Sequence, residues 1–471
     1  MIKPTLIYGM ASVLPSILGF VLLPLYSRHL STSEYGVIAA MGVLSSVISV
    51  FANLSLDRAA FRFYFDSADR EQRRRVLGTF FIGSIGVSIL VLAALLLARP
   101  WLVMSYPDID FYPYYFLTIL TVVFNVCEGY VMGYLRISEQ PRPYFLMMLV
   151  TVLLQAAFIL YFVMVEGQGA LGQIRALLLS ALVLLPVYLR MAYQNFTTAF
   201  DWTLFKQGAS FSWPFIPTLL IAWVLNWSDS AFIANYGSMS EVGLYAMAYK
   251  ISMVFFLVTS AFSIAYQPVF FRKAEQADQV AAKKDLYAII HVASRAFIVC
   301  GLLLALFSED IARLLLDAQY KDIPRVIRII LLSHILSAIM GISSNLYYLQ
   351  SKRSQLQLAV VSASAMVNVL LNYLLVPTHG MHGAAFATVL SMVFLTITHY
   401  TCARRCYFIE IFWWKLAMLI GASAATVWLF QEFVEGLWFS LPVKILFVAV
   451  LFIAMSRNEG VREAIRNFRA Q

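Results

Sequence analysis

Between Val367 and Met392 the chain reads "VNVLLNYLLVPTHGMHGAAFATVLSM". Two apolar runs meet across Pro377, Gly380 and Gly383 with almost no polar loop between them. Proline and glycine stop a helix and turn the chain. The small residues Gly383, Ala384 and Ala385 then let the next helix approach its neighbours closely, as helices in lipid do. The stretch reads as the end of one membrane span, a tight turn and the start of another.

The rest of the chain fits that reading. Of 471 residues, 61% are hydrophobic and 13% charged. A soluble fold of that size has too little interior to hide so much apolar side chain. Apolar runs near twenty residues recur, and about twenty helical residues cross roughly 30 Å of hydrocarbon. Lipid supplies no hydrogen bonds, so spans are helices or closed barrels. Barrel strands alternate in polarity and these runs do not. The fold class is therefore an all-α polytopic membrane protein. Fourteen spans are expected, at roughly 5–26, 36–56, 76–98, 113–135, 144–165, 171–190, 208–234, 242–265, 288–307, 325–350, 356–376, 382–401, 411–430 and 441–456.

Positive charge orients them. One set of connections carries Arg58, Arg62, Arg70, Arg73, Arg74, Arg75, Arg136, Arg142, Arg190, Lys206, Arg272, Lys273, Lys283, Lys284, Lys352, Arg353, Arg404 and Arg405. The opposite set carries only Arg28, Arg99, Arg313, Lys321 and Arg325. The first set is expected in the cytoplasm, with both termini, and an even span count agrees. The formal charge of +9 is then a consequence of topology and calls for no nucleic-acid partner. The first span follows Lys3 without an A-x-A-like cleavage site and reads as retained. The outer connections are too short to fold separately. Cys127 and Cys300 read as small buried residues, and Cys402 with Cys406 lacks the further ligands of a zinc site.

Two segments echo each other. "STSEYGVIAA" from Ser31 aligns with "SMSEVGLYAM" from Ser238, placing Ser33, Glu34 and Gly36 on Ser240, Glu241 and Gly243. Tyr134-Leu135 and Gly169-Ala170 align with Tyr348-Leu349 and Gly383-Ala384 at a similar offset. Both matches set spans one to six over spans seven to twelve. Six spans per repeat give two lobes related by a pseudo-twofold axis along the membrane normal, an arrangement of transporters. The expected divisions are residues 1–200, 201–406 and a C-terminal pair of spans with a tail at 407–471.

Three stretches carry a family resemblance. "LPLYSRHLSTSEYGVIAAMGVLSSVISVFANLSLDRAAFRFYF" (Leu23–Phe65), "NWSDSAFIANYGSMSEVGLYAMAYKISM" (Asn226–Met253) and the opening quotation resemble Wzx-type polysaccharide flippases of the multidrug/oligosaccharidyl-lipid/polysaccharide exporter superfamily. The resemblance implies translocation of undecaprenyl-diphosphate-linked oligosaccharide across a bacterial inner membrane, for O-antigen, capsule or exopolysaccharide. It also implies possible partners, a polysaccharide polymerase and a chain-length protein. The last two spans resemble an extra pair in some members, including lipid II flippases, which keeps that substrate as an alternative. A pathway completed within one chain makes a monomer the default.

A diphosphate and its sugars cannot cross hydrocarbon unaided, so a polar, preferably cationic cavity is needed. Intramembrane charge is the signal for it. Lys250 lies about 13 Å and Asp229 about 10 Å from the outer ends of spans eight and seven, at 1.5 Å per residue. The two side chains are expected at one level, as an ion pair that a diphosphate or a proton opens. A static pair joining the two helices is the plainer reading. Arg58 and Arg62, four residues apart beside Asp57, are placed to receive a diphosphate at the cytoplasmic mouth, or else to anchor against anionic headgroups. Arg28, beside His29, meets the headgroup outside or snorkels. Arg295 and Arg175 are similar cationic candidates near span ends. His334 titrates near neutrality or is a bonded interior histidine. Asn226, Asn345, Asn368 and Asn372, with Asn53, are amides for sugar hydroxyls, with Trp223, Trp227, Tyr347 and Tyr348 as stacking surfaces. Helix–helix bonding is the commoner role for such amides.

Asp108-Ile109-Asp110 has the D-x-D form of sugar-nucleotide enzymes but sits in a short outer loop with no catalytic domain. No G-x-x-x-x-G-K-[ST] loop occurs. A polymerase or ligase needs a larger outer region than this chain has. A cation-coupled drug antiporter of the same superfamily needs acidic groups, whereas the candidates here are mostly cationic. No cofactor is expected; a proton or sodium gradient acting through Asp229 is one energy source, and consumption of the flipped lipid outside is another.

Overall fold

The computed structural model describes residues 2–67, 69–275, 278–348, 354–404, 413–434 and 440–457. Lys352, Arg353, Arg405, Cys406 and the basic residues of the tail lie outside the described residues, as do the side chains of Lys3, Tyr347, Tyr348 and Arg457. The described chain is mostly helical, with no strand among the described residues.

Among the described residues, twelve helices are long and apolar enough to cross a membrane. One of them, within Ser354–Ala403, has 50 residues and would reach about 75 Å at 1.5 Å per residue, more than twice the hydrocarbon thickness. It breaks at Gly380, whose φ of 53° and ψ of −135° are open to glycine alone. That break, with the apolar helix Ser440–Arg457, brings twelve to fourteen. The turn expected from Pro377 and Gly380 is present, and Pro377 lies in the last turn before the break. Gly383 lies so near the Leu375 carbonyl that a Cβ would sit 2.4 Å from its oxygen.

In chain order the spans are α1 (Ile2–Val21), α2 (Thr32–Asn53), α3 (Arg70–Leu97), α4 (Phe116–Ile137), α5 (Pro141–Ile159), α6 (Gly169–Asn195), α7 (Phe215–Tyr236) and α8 (Met239–Ser252, resuming as Val254–Ala274). They continue as α9 (Gln279–Leu306), α10 (Ile323–Tyr348), α11 and α12 (354–379 and 381–403), α13 (Trp413–Phe433) and α14 (Ser440–Arg457).

The chain divides into two compact units, Met1–Ala246 and Met247–Gln471. In the first, the interior is aromatic. Phe81, Tyr130 and Phe196 lie with ring centroids 5.4–5.7 Å apart, bringing α3, α4 and the end of α6 together. The Tyr130 hydroxyl donates to the Leu77 carbonyl at 3.1 Å, so the polar end of the ring is satisfied where no water reaches it. In the second unit, Ser364, Asn368 and Ser391 tie α11 to α12, and Lys444 of α14 donates to Asp310 at 2.7 Å. Lys444 is only 1% exposed, so the pair fixes α14 on the short helix Ser308–Leu315.

Two spans have other bounds than the sequence suggests: the second is shifted toward the N-terminus and the seventh is shorter. The second ends at Asn53, because Leu54 and Ser55 both take the left-handed conformation, with φ of 46° and 56°. A separate amphipathic helix, Leu56–Asp66, follows. The seventh begins after Pro214, and residues before it form another short helix, Trp202–Ser212. These two short helices pack together. Gly208 admits Phe80 and Ala59, and the Ser212 hydroxyl donates to the Ser55 carbonyl at 2.9 Å, holding the left-handed turn.

Candidate functional site

The two copies of the repeated motif meet, both within the first unit. Ser31 caps α2: its hydroxyl accepts from the Glu34 amide, and the Glu34 carboxylate accepts from the Ser31 amide in return. Ser238 stands in the same position for α8 and accepts from the Glu241 amide at 3.2 Å. Glycine one turn further lets the two helix starts cross backbone to backbone. A Cβ at Gly36 would lie 1.8 Å from the Met239 carbonyl oxygen, and one at Gly243 would lie 1.9 Å from that of Thr32. The Thr32 and Ser240 hydroxyls bond at 2.7 Å across the crossing. The sequence exposed the repeat but not that its copies form one contact.

Asp229 stands on α7. It is 5% exposed and accepts from the Tyr245 hydroxyl of α8 at 2.5 Å. A carboxylate in a membrane interior needs such a donor. Lys250, half-buried on α8, lies in the second unit, where the neighbouring Tyr249 ring stands edge-on to His334 at 5.5 Å.

The candidates expected at the cytoplasmic mouth separate. Asp57 accepts from Asn53 at 3.1 Å across the left-handed turn. The Arg58 guanidinium lies over the Phe215 ring, 4.9 Å from its centroid, while its side chain stays exposed. Arg62 pairs with Asp66 at 3.0 Å on the surface. The two arginines thus belong to the short helix Leu56–Asp66, with different partners. Arg28 is exposed in the last turn of Leu23–His29, and Arg295 is exposed on α9. Arg175 donates to Gln168 at 2.8 Å.

Most candidate sugar contacts have helix partners. Asn226 donates to its own helix at Ala222, 2.6 Å. Asn345 is buried on α10. Asn368 donates to Ser391, and Asn372 to Asn368, both at 3.2 Å, in the interior of the α11–α12 pair. Trp223 donates to Ser46 at 2.9 Å, joining α7 to α2. Trp227 is 40% exposed.

Glu128 escaped the sequence reading. It stands alone in the apolar run of α4 and accepts from Thr151 of α5 at 3.4 Å; Thr151 and Tyr188 of α6 bond at 3.0 Å. Its signal was the lone acid in "NVCEGY", a residue that costs free energy in lipid unless it has partners. No cluster of metal-ligating side chains occurs among the described residues.

Comparison with known proteins identifies the family. Residues 25–325 match the model of the polysaccharide biosynthesis protein family. The chain belongs to that family. A probable low-salt glycan biosynthesis flippase, Agl15 of Haloferax volcanii, is 24% identical over 235 residues. That match spans 48% of each chain, so the chain covers about half the length of this curated relative. Among solved structures, a lipid II flippase MurJ in an inward closed conformation superposes with a TM-score of 0.73 at 11% identity, covering 97% of this chain and 98% of that one. An inward-facing multidrug resistance MATE family transporter of the MOP superfamily gives 0.65 at 16% identity, over 87% and 96%. At these identities the likeness is one of fold. The multi-pass, all-α fold of the exporter superfamily expected from the sequence is the one observed.

Proposed function

We propose that this protein is a flippase, not an enzyme. It moves undecaprenyl-diphosphate-linked oligosaccharide repeat units from the inner to the outer leaflet of a bacterial inner membrane, for surface polysaccharide synthesis. Membership of the polysaccharide biosynthesis family over residues 25–325 carries this reading. The glycan-biosynthesis flippase among its relatives and the transporter fold support it.

In this mechanism the sugar and diphosphate cross through a polar path, while the polyprenyl tail stays in lipid. Lys250 and Arg58 attract the diphosphate as unit positive charges, and Arg62, Arg28 and Arg295 are secondary cations. Asp229, held by Tyr245, is the group through which a proton or sodium ion drives the return. Both termini face the cytoplasm, and one chain completes the path. The test is translocation in proteoliposomes of a short fluorescent undecaprenyl-diphosphate glycan, read by quenching from the outside. Protein-dependent loss of signal that Lys250→Ala removes is the expected result. A rate equal to that of empty vesicles rejects the reading.

A further inference from the structure

A second cationic site stands at the start of α3, apart from the residues assigned to transport. A cleft of about 320 Å³ is lined by Arg70, Arg73 and Arg74, with Tyr64, Tyr134 and Asn195 on its walls. The neighbouring acids are engaged elsewhere: Arg75 pairs with Asp201 at 3.1 Å, Asp66 with Arg62, and Asp69 caps α3. Glu71 is exposed on the adjoining surface. Arg70, Arg73 and Arg74 make no ion pair among the described residues.

The cleft is built, not merely charged. Arg73 donates to the Ser67 carbonyl at 3.2 Å and lies 5.1 Å from the Tyr64 ring centroid. Arg74 donates through Nη2 to the Gln194 carbonyl at 3.3 Å, and its own carbonyl accepts from the Thr197 amide at 3.1 Å. Gly78 permits that approach, since a Cβ there would lie 1.9 Å from the Thr197 carbonyl oxygen. Tyr134 donates to Asn195 at 2.9 Å. One donor is left over: Arg74 Nε is buried with no hydrogen-bond partner. Three like charges around a cleft repel, and a buried N–H without an acceptor is unfavourable. An anion with several acceptor oxygens relieves the repulsion.

We propose that this cleft binds the phosphate of a lipid headgroup at the inner leaflet. Phosphate matches the guanidinium fork, and the cleft lies at the N-terminal turn of a 28-residue helix long and apolar enough to cross a membrane, the end where headgroups are expected. The site does not depend on which substrate is transported. Phosphate of the right kind comes from bulk phospholipid or from the diphosphate of a polyprenyl lipid.

Native mass spectrometry of the purified full-length protein, titrated with phosphatidylglycerol, phosphatidylcholine or undecaprenyl diphosphate, separates these. Arg70→Gln/Arg73→Gln and, separately, Arg74→Lys are compared with wild type. Arg142→Gln/Lys206→Gln, outside the cleft, is the control for general basicity. Binding weakened at least ten-fold by both cleft variants, and unchanged in the control, supports the site. If phosphatidylglycerol is affected, bulk lipid fills it; if undecaprenyl diphosphate alone is affected, the polyprenyl diphosphate does. Unchanged binding of both lipids in well-folded cleft variants, or an equal loss in the control, overturns the proposal.

Discussion

Replacing Gly36 by alanine tests the repeat crossing. The added Cβ falls 1.8 Å from the Met239 carbonyl oxygen and 2.7 Å from its carbon. Both are backbone atoms, so no side chain can turn away, and the start of α8 must retreat by about 1.5 Å to restore contact distances. That retreat stretches the 2.7 Å bond between Thr32 and Ser240 beyond hydrogen-bond range. Overpacking costs about 1–3 kcal/mol, and a lost hydrogen bond about 1 kcal/mol more. A change of 1–3 kcal/mol shifts an equilibrium about 5–150-fold. The assay is oxidative cross-linking of Thr32→Cys/Ser240→Cys in a protein otherwise without cysteine, in membranes. The two hydroxyls nearly touch, so the thiols that replace them start within reach of a disulfide. Rapid cross-linking is expected with Gly36, and a rate at least five-fold lower with Gly36→Ala. Equal rates would refute the claim that the glycine pair sets this contact. Gly243→Ala, which meets the Thr32 carbonyl oxygen at 1.9 Å, should behave alike.

Other outcomes follow from the same geometry. Lys444→Leu leaves the Asp310 carboxylate without its 2.7 Å donor and should lower thermal stability in detergent by about 1–3 kcal/mol; Lys444→Leu/Asp310→Leu should recover most of it. Ser55→Gly removes a left-handed serine whose hydroxyl is buried without a partner, and should stabilise by about 1 kcal/mol in the same melt. Tyr245→Phe deprives the Asp229 carboxylate of a 2.5 Å donor; transport should slow with protein abundance retained, and normal transport would remove Asp229 from the mechanism.

The fold was legible because lipid makes the sequence code coarse. Apolar length alone locates a span, and Pro377 with Gly380 located the turn between α11 and α12 even though the helices run almost into each other. The break after α2 was not legible. Leu54 and Ser55 are poor left-handed formers, and the turn rests on a distant partner, Ser212. The candidate site was legible as a set of costly residues but not as an arrangement. Asn368 and Asn372 have the same sequence signature whether they face sugar or each other, and only the packing of α11 on α12 shows the bonds they make. The reverse holds for Gly36 and Gly243: their alignment marked a repeat, while their mutual contact depends on three-dimensional crossing. Glu128 was overlooked because one acid in an apolar run resembles many surface acids until Thr151 and Tyr188 close around it.

The central claim is that this chain flips a lipid-linked surface oligosaccharide. It is tested most directly by mass spectrometry of undecaprenyl-diphosphate-linked sugars in cells depleted of the protein, alongside their parent and a complemented strain. The account predicts that one linked oligosaccharide accumulates, that its surface polymer disappears, and that wild-type protein reverses both changes while Lys250→Ala reverses neither. Accumulation of lipid II would contradict the assigned substrate, and unchanged lipid pools with reduced drug export would contradict the flippase assignment itself.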